Sequence, residues 1–316
     1  MTLCRIVASV MFSCTFALVS GVHAAGIIVH DARNRDIAVT DVARTVTIGG
    51  AITEILYALG LENRLVGVDT TSLYPPAALR DKPNVGYMRQ ISAEGVLGLN
   101  PTLILAIQGS GPRETMEILE TAKVPLVLVP ETYSEEGLIA KIKLVGHAMG
   151  VDARAECLSA AVGADLAQLR TLRAKVTKPV RVMFVMSLQN GRAMVAGHKT
   201  AADEIIRLAG AANAVDDYDG YKVISDEAIV AAKPDVVLSI ERGKDSLQAD
   251  AVYAHPGFTL TPVAANKSFI AMDGLYLLGF GPRTAAAARD LAVKLYPELA
   301  DQGAFTSALS AANCRQ

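Results

Sequence analysis

The chain has no tryptophan, few aromatic residues, and only four cysteines and five histidines among its 316 residues. These scarcities weigh against several functions. His30, His147, His198 and His255 are widely spaced and form no H-x-x-x-H pair, which argues against a dedicated zinc or manganese carrier. There is no C-x-x-C pair, so a thioredoxin-like redox site is not indicated. A G-x-S-x-G nucleophile elbow and a phosphate-binding P-loop are also missing, which counts against an exported enzyme. Gly279-Phe280-Gly281-Pro282-Arg283-Thr284 begins like a dinucleotide loop, but Thr284 stands where the third glycine belongs. Charge of either sign is not in excess, with 30 basic against 32 acidic residues. Nothing in that balance attracts nucleic acid or an anionic membrane.

Half of the chain is apolar, an alanine-rich globular composition rather than a disordered one. Its length suits two domains better than one core. Residues 1–24 read as a secretory leader. Arg5 is its only positive charge, Ile6 to Val19 form an apolar run, and Val22-His23-Ala24 fits a small-x-small cleavage site. The run is short of the ~18 residues of a membrane anchor. Cys14 sits in a poor lipoprotein context, so a soluble exported protein starting at Ala25 is expected. Cleavage removes Arg5, Cys4 and Cys14 and leaves Cys157 and Cys314. Two cysteines in an oxidising compartment can pair, and the sequence leaves this pairing open.

Strand-like runs at Thr45–Ile48, Leu65–Val68, Leu103–Ile107 and Leu126–Val129 alternate with helical patterns at Ala51–Leu59, Ser92–Leu99 and Pro112–Ala122. The second half repeats the scheme, with strands at Val180–Met186, Val236–Ile240 and Phe269–Met272 and helices at Thr200–Leu208, Ser225–Ala232 and Thr284–Leu295. This alternation predicts α/β lobes with central, mostly parallel sheets. Between the halves, Gly150 suits a helix C-cap and Asp152 an N-cap. Ala153 to Lys175 then reads as one helix of about 34 Å. The expected layout is a lobe at 25–150, a helical linker at 151–176 and a second lobe at 177–316, with the ligand cleft between the lobes. Such a connector predicts small lobe motion, with hinge closure as the alternative.

One unit occurs twice. Ser92-Ala93-Glu94 leading to Pro101-Thr102-Leu103-Ile104 matches Ser225-Asp226-Glu227 leading to Pro234-Asp235-Val236-Val237 without a gap. A Gly-Tyr step precedes each serine, Gly86-Tyr87 and Gly220-Tyr221, with a slip of one residue. A weaker repeat relates Thr53-Glu54 to Asp203-Glu204. Glu94 and Glu227 read either as first-turn acids favoured by the helix dipole or as a paired functional device. Tyr87 reads either as a surface tyrosine or as an iron ligand. In an extended stretch Arg89 faces the same side as Tyr87. A guanidinium beside a phenol favours the phenolate, a hard donor that suits ferric iron, including ferric haem.

Gly86-Tyr87-Met88-Arg89, Ala196-Gly197-His198-Lys199-Thr200-Ala201-Ala202-Asp203 and Gly279-Phe280-Gly281-Pro282-Arg283-Thr284 carry a family resemblance. With Glu54, the Ser-x-Glu segments and the linker, the mature chain resembles the periplasmic haem-binding proteins of bacterial haem ABC importers. These belong to the helical-linker substrate-binding class, as do cobalamin and ferric-siderophore binders. The resemblance implies a non-enzymatic carrier of ferric haem b, a monomer in the periplasm, with Tyr87 as axial iron ligand and Arg89 steadying its phenolate. It implies that Glu94 and Glu227 dock on an inner-membrane permease that works with an ATPase, an outer-membrane haem receptor system being an indirect partner. By position and looser resemblance, Arg242 is a candidate contact to a propionate or to the haem face. Some relatives supply a second-lobe histidine after its first strand. Here Ser187-Leu188-Gln189-Asn190-Gly191-Arg192 offers neither His nor Tyr, and Tyr221 lacks an arginine two residues on, so it is read as structural or cleft-lining. A siderophore or cobalamin cargo is the alternative within the same fold.

Overall fold

The computed structural model describes residues 26–241, 243–300 and 305–316. Residues 1–24, expected to be a leader, the cleavage site expected after them, and Arg242 lie outside the described residues. A hairpin that the sequence reading did not anticipate comes first, β1 (Ile27–His30) against β2 (Asp36–Val39). Then β3 (Thr45–Ile48), α1 (Gly50–Ala58) and β4 (Leu65–Val68) begin the first lobe. A two-residue hairpin, β5 (Gly86–Tyr87) and β6 (Gln90–Ile91), precedes α2 (Ala93–Leu97). The lobe closes with β7 (Leu103–Ile107), α3 (Arg113–Thr121) and β8 (Leu126–Val129). Its sheet is parallel in the order β4-β3-β7-β8. β3, β7 and β8 are buried nearly throughout, as expected of strands covered on both faces.

Two helices follow, α4 (Glu135–Ala148) and α5 (Asp152–Arg173). Gly150, at φ 68°, ends α4 in the left-handed conformation, and the Val151 N–H bonds the Gly146 carbonyl. The expected glycine cap is there. Asp152 does not cap α5, because Val151 holds that position; its carboxylate instead lies 2.9 Å from His147 Nδ1. At 22 residues, α5 spans roughly 33 Å.

The second lobe has β9 (Arg181–Gln189), β10 (Arg192–Ala196), α6 (Ala201–Leu208), β11 (Ala212–Asn213), β12 (Tyr221–Ile224), α7 (Asp226–Ala232), β13 (Val236–Glu241), β14 (Phe269–Asp273) and α8 (Thr284–Leu295). Its sheet runs β12-β10-β9-β13-β14, with β11 also on β9. β9, β13 and β14 are parallel, whereas β9-β10 and β10-β12 are antiparallel. The segment read as a loop after the first strand is therefore a hairpin. Asn190 and Gly191 both have positive φ, 52° and 71°, which two-residue hairpin turns demand.

One apolar cluster joins the lobes. It runs from Ile52, Ile55 and Leu56 of α1 through Leu158 and Val162 of α5 to Ile205 of α6 and Leu291 of α8. Cys157 of α5 forms a disulfide with Cys314, the pairing that the sequence left open. The tail around Cys314 is held by more than that bond. The Asp165 carboxylate, buried in α5, accepts from the Ser307 hydroxyl at 2.8 Å and from the Ala308 N–H at 2.6 Å. Arg315 pairs with Glu62 of the first lobe.

Candidate functional site

Tyr87 lies at the tip of the first lobe because the chain folds back there. Gly86, at φ 99°, enters the hairpin, and Tyr87 pairs with Gln90, leaving Met88 and Arg89 as the turn. The Met88 carbonyl accepts from the Gly111 N–H at 2.9 Å and the Ile91 N–H donates to the Gly111 carbonyl at 3.1 Å, so the hairpin is fastened to the neighbouring loop. Arg89 Nη1 donates to the Tyr87 hydroxyl at 2.9 Å. The expected pairing is present, but its cause is a tight turn rather than an extended strand. Tyr87 is 39% exposed, open enough to meet a ligand.

The second copy of the motif is built differently. Gly220-Tyr221 enters the continuous edge strand β12, with no hairpin. The extra residue of the first copy is the one that makes its turn, which explains the slip between the repeats. Tyr221 packs edge-on to Phe184, with ring centroids 6.3 Å apart. It shares its strand face with exposed Val223.

Tyr133, which the sequence reading passed over, lies where these elements meet. It is on the loop after β8, edge-on to Phe280 at 5.1 Å. Burial pushes its phenol well above the usual tyrosine range, Glu131 and Tyr221 add to the rise, and Arg89 opposes it. Tyr133 thus lies within electrostatic reach of Arg89 from one lobe and Tyr221 from the other. Among the described residues no three His, Cys, Asp or Glu side chains gather as a metal site.

Ser92 caps α2 and Ser225 caps α7 in the same way, each hydroxyl accepting from the N–H three residues on at 3.3 Å. Glu94 and Glu227 are each the second residue of the capped helix, and both are exposed. The Ser225 hydroxyl, followed by Glu227's own N–H, holds the Glu227 carboxyl below its ordinary range. Both acids are therefore presented by equivalent rigid caps, one per lobe.

Residues 46–275 match the family model described as periplasmic binding protein. The chain belongs to the periplasmic binding protein family. Among solved structures it is similar to the periplasmic heme-binding protein RhuT from Roseiflexus sp. RS-1, at 39% identity over 82% of this chain and 100% of that one, with a TM-score of 0.77. It is also similar to the periplasmic heme-binding protein BhuT in complex with two hemes, at 40% identity over 81% and 98% of the two chains and a TM-score of 0.76. A curated relative is the uncharacterized ABC transporter substrate-binding lipoprotein YvrC of Bacillus subtilis, 26% identical over 85% of each chain.

In this periplasmic binding protein the two lobes are locked together by residues whose partners are far away in sequence. Glu54, buried on α1, receives three hydrogen bonds from Arg283: the backbone N–H and Nε at 3.3 and 3.0 Å on one oxygen, and Nη2 at 2.9 Å on the other. The Arg283 guanidinium also lies over the Tyr74 ring, 3.6 Å from its centroid. The loop packs closely on that carboxylate, since a Cβ on Gly281 would stand 3.3 Å from the Glu54 carboxyl carbon. The loop that resembles a nucleotide site is thus an interlobe clamp. A second tie is Lys141 of α4, whose fully buried ammonium donates to Glu131 at 2.6 Å and to the Phe280 carbonyl at 3.1 Å. A cavity of about 230 Å³ lined by Leu73, Tyr74, Asp273, Tyr276 and Arg283 adjoins the clamp, and Tyr87 does not line it. Glu54→Gln removes a charged acceptor and is expected to cost about 2 kcal/mol of stability. Urea unfolding midpoints check this, and an unshifted midpoint would show that the clamp contributes nothing net.

Proposed function

We propose that this chain is the periplasmic carrier of a haem ABC importer. Residues 1–24 direct export and are removed, leaving a monomer with lobes 25–150 and 177–316 joined across 151–176. The observation that carries this reading is the exposed Tyr87 hydroxyl with the Arg89 guanidinium 2.9 Å away. A phenol held by a cation ligates ferric iron as the phenolate, because the cation offsets the charge left when the proton departs. Arg242 contacts a propionate or the haem face. An apolar cleft wall on the second lobe, with Tyr221 and Val223 exposed, supplies area for the porphyrin.

Titration of the purified protein with hemin is expected to give a ferric-phenolate charge-transfer band at saturation. Cyanocobalamin or a ferric siderophore in excess should fail to displace the hemin. Displacement by either, or a hemin complex without that band, contradicts the reading.

Glu94 and Glu227 dock on basic residues of the permease, one from each lobe. Two rigidly presented charges orient the loaded carrier, and their attraction weakens with salt. The double substitution Glu94→Lys with Glu227→Lys is expected to leave hemin binding unchanged. It should lower carrier-stimulated ATPase activity of the reconstituted importer by roughly 10-fold or more at low salt. Stimulation equal to that of the unsubstituted carrier would remove both residues from the docking surface.

A further inference from the structure

We infer that Tyr133 is a specificity residue of the cargo cleft, donating its hydroxyl hydrogen bond to a carboxylate on the edge of the bound tetrapyrrole. The inference rests on the haem-carrier reading above and assigns a residue that the reading does not use. Tyr133 sits on the loop that leaves the carboxyl end of β8, the edge of a parallel sheet where ligands bind. Its ring is half-buried and fixed edge-on against Phe280, 5.1 Å away. Phe280 is itself held in place. Its carbonyl accepts from the buried Lys141 ammonium, which also binds Glu131, two residues before Tyr133. On the other side of Tyr133, Ser134 caps α4, accepting from the Gly137 N–H at 3.0 Å. The loop is therefore braced on both flanks of the phenol.

The hydroxyl of this braced ring hydrogen-bonds no described residue. Burial and the Glu131 carboxylate both keep it protonated, so it is a donor at physiological pH. Tyr87 and Tyr133 divide the chemistry of two phenols: one loses its proton to solvent and would bind iron through the phenolate oxygen, and the other keeps its proton to give a hydrogen bond. Glu131 acts on Tyr133 more strongly than Arg89 does, but its carboxylate is held by the buried Lys141 ammonium at 2.6 Å, which leaves Arg89 as the unspent cation within reach of an incoming carboxylate. A flat apolar ligand with carboxylates on its rim, such as a haem with its propionates, supplies that acceptor. A corrin whose rim carboxyls are amides offers only neutral acceptors, which bind more weakly.

The test uses hemin and hemin dimethyl ester, which lacks the free carboxylates, with transfer to apomyoglobin reporting dissociation. The unsubstituted protein is expected to release the ester roughly 10-fold faster than hemin. Tyr133→Phe, which removes only the hydroxyl, should release hemin faster than the unsubstituted protein does, keep the ferric-phenolate band, and leave release of the ester unchanged. Equal release of hemin and ester by the unsubstituted protein overturns the inference without any variant. It is also overturned if Tyr133→Phe speeds both ligands equally, since the hydroxyl then serves another group. Failure of the carrier reading is a separate result: the unsubstituted protein would not form the hemin band at all.

Discussion

Tyr87→Phe is expected to abolish the charge-transfer band of the hemin complex and to weaken hemin binding by at least about 100-fold, beyond the usual loss for a supporting residue around a metal. Phenylalanine fills the same space, and the hairpin that carries it is held by backbone bonds to Gly111, so the fold is not in question. What disappears is the oxygen. Arg89→Leu keeps that oxygen and removes its charged partner at 2.9 Å, and the expected loss is smaller, about 10- to 100-fold. Its band should persist, because the Tyr87 oxygen that gives it is still present. Absorption spectra and hemin titrations of the two variants decide the matter. Survival of the band in Tyr87→Phe would move the iron to another residue. A larger loss in Arg89→Leu than in Tyr87→Phe would mean that Arg89 also binds hemin directly rather than only through Tyr87.

Removing the Cys157–Cys314 disulfide is expected to lower the unfolding free energy by ~5 kcal/mol in the chain-entropy view, since the bond closes a loop of 157 residues in the unfolded chain. For a chain of this size that is a fall of roughly 8 °C in melting temperature. Cys157→Ser, Cys314→Ser and the reduced unsubstituted protein should coincide, which thermal unfolding with and without reductant will show. The bond ties the linker helix to a tail whose next residue, Arg315, pairs with Glu62 of the first lobe. The tail keeps its Asp165 hydrogen bonds when the sulfurs are separated, so the hemin band should be unaffected. A melting temperature indifferent to reductant would show that the tail contacts alone hold the native arrangement and that the unfolded chain gains little freedom.

Much of the fold was legible because its signals are local. The runs at Thr45–Ile48, Leu65–Val68, Leu103–Ile107 and Leu126–Val129 have the bounds expected of them, each being a short apolar run between turns. Gly150 was readable as a helix end because a left-handed residue favours glycine. The hairpins were the main omissions. Asn190-Gly191 is a strong hairpin signal that the uninterrupted βα reading overrode, and the two-residue strands around Met88-Arg89 are too short to show any periodicity. Among the candidate site residues, Tyr87 and Arg89 stand two apart in the chain, so their pairing was within reach of sequence reasoning. Tyr133 was not, because no repeat or spacing marks it; its surroundings come from Phe280, Lys141, Arg89 and Tyr221.

The duplicated α/β scheme, the serine-capped glutamates, the helical connector and the tyrosine–arginine pair are each encoded within a few residues, by periodicity, capping or a short turn. Folding in three dimensions is what brings Glu54 to Arg283, Lys141 to the Phe280 carbonyl and Cys157 to Cys314, and what gives the two Gly-Tyr steps different forms. Those partners lie more than a hundred residues apart. Their choice depends on how the lobes close over one shared apolar cluster, and no local preference in the chain carries that information.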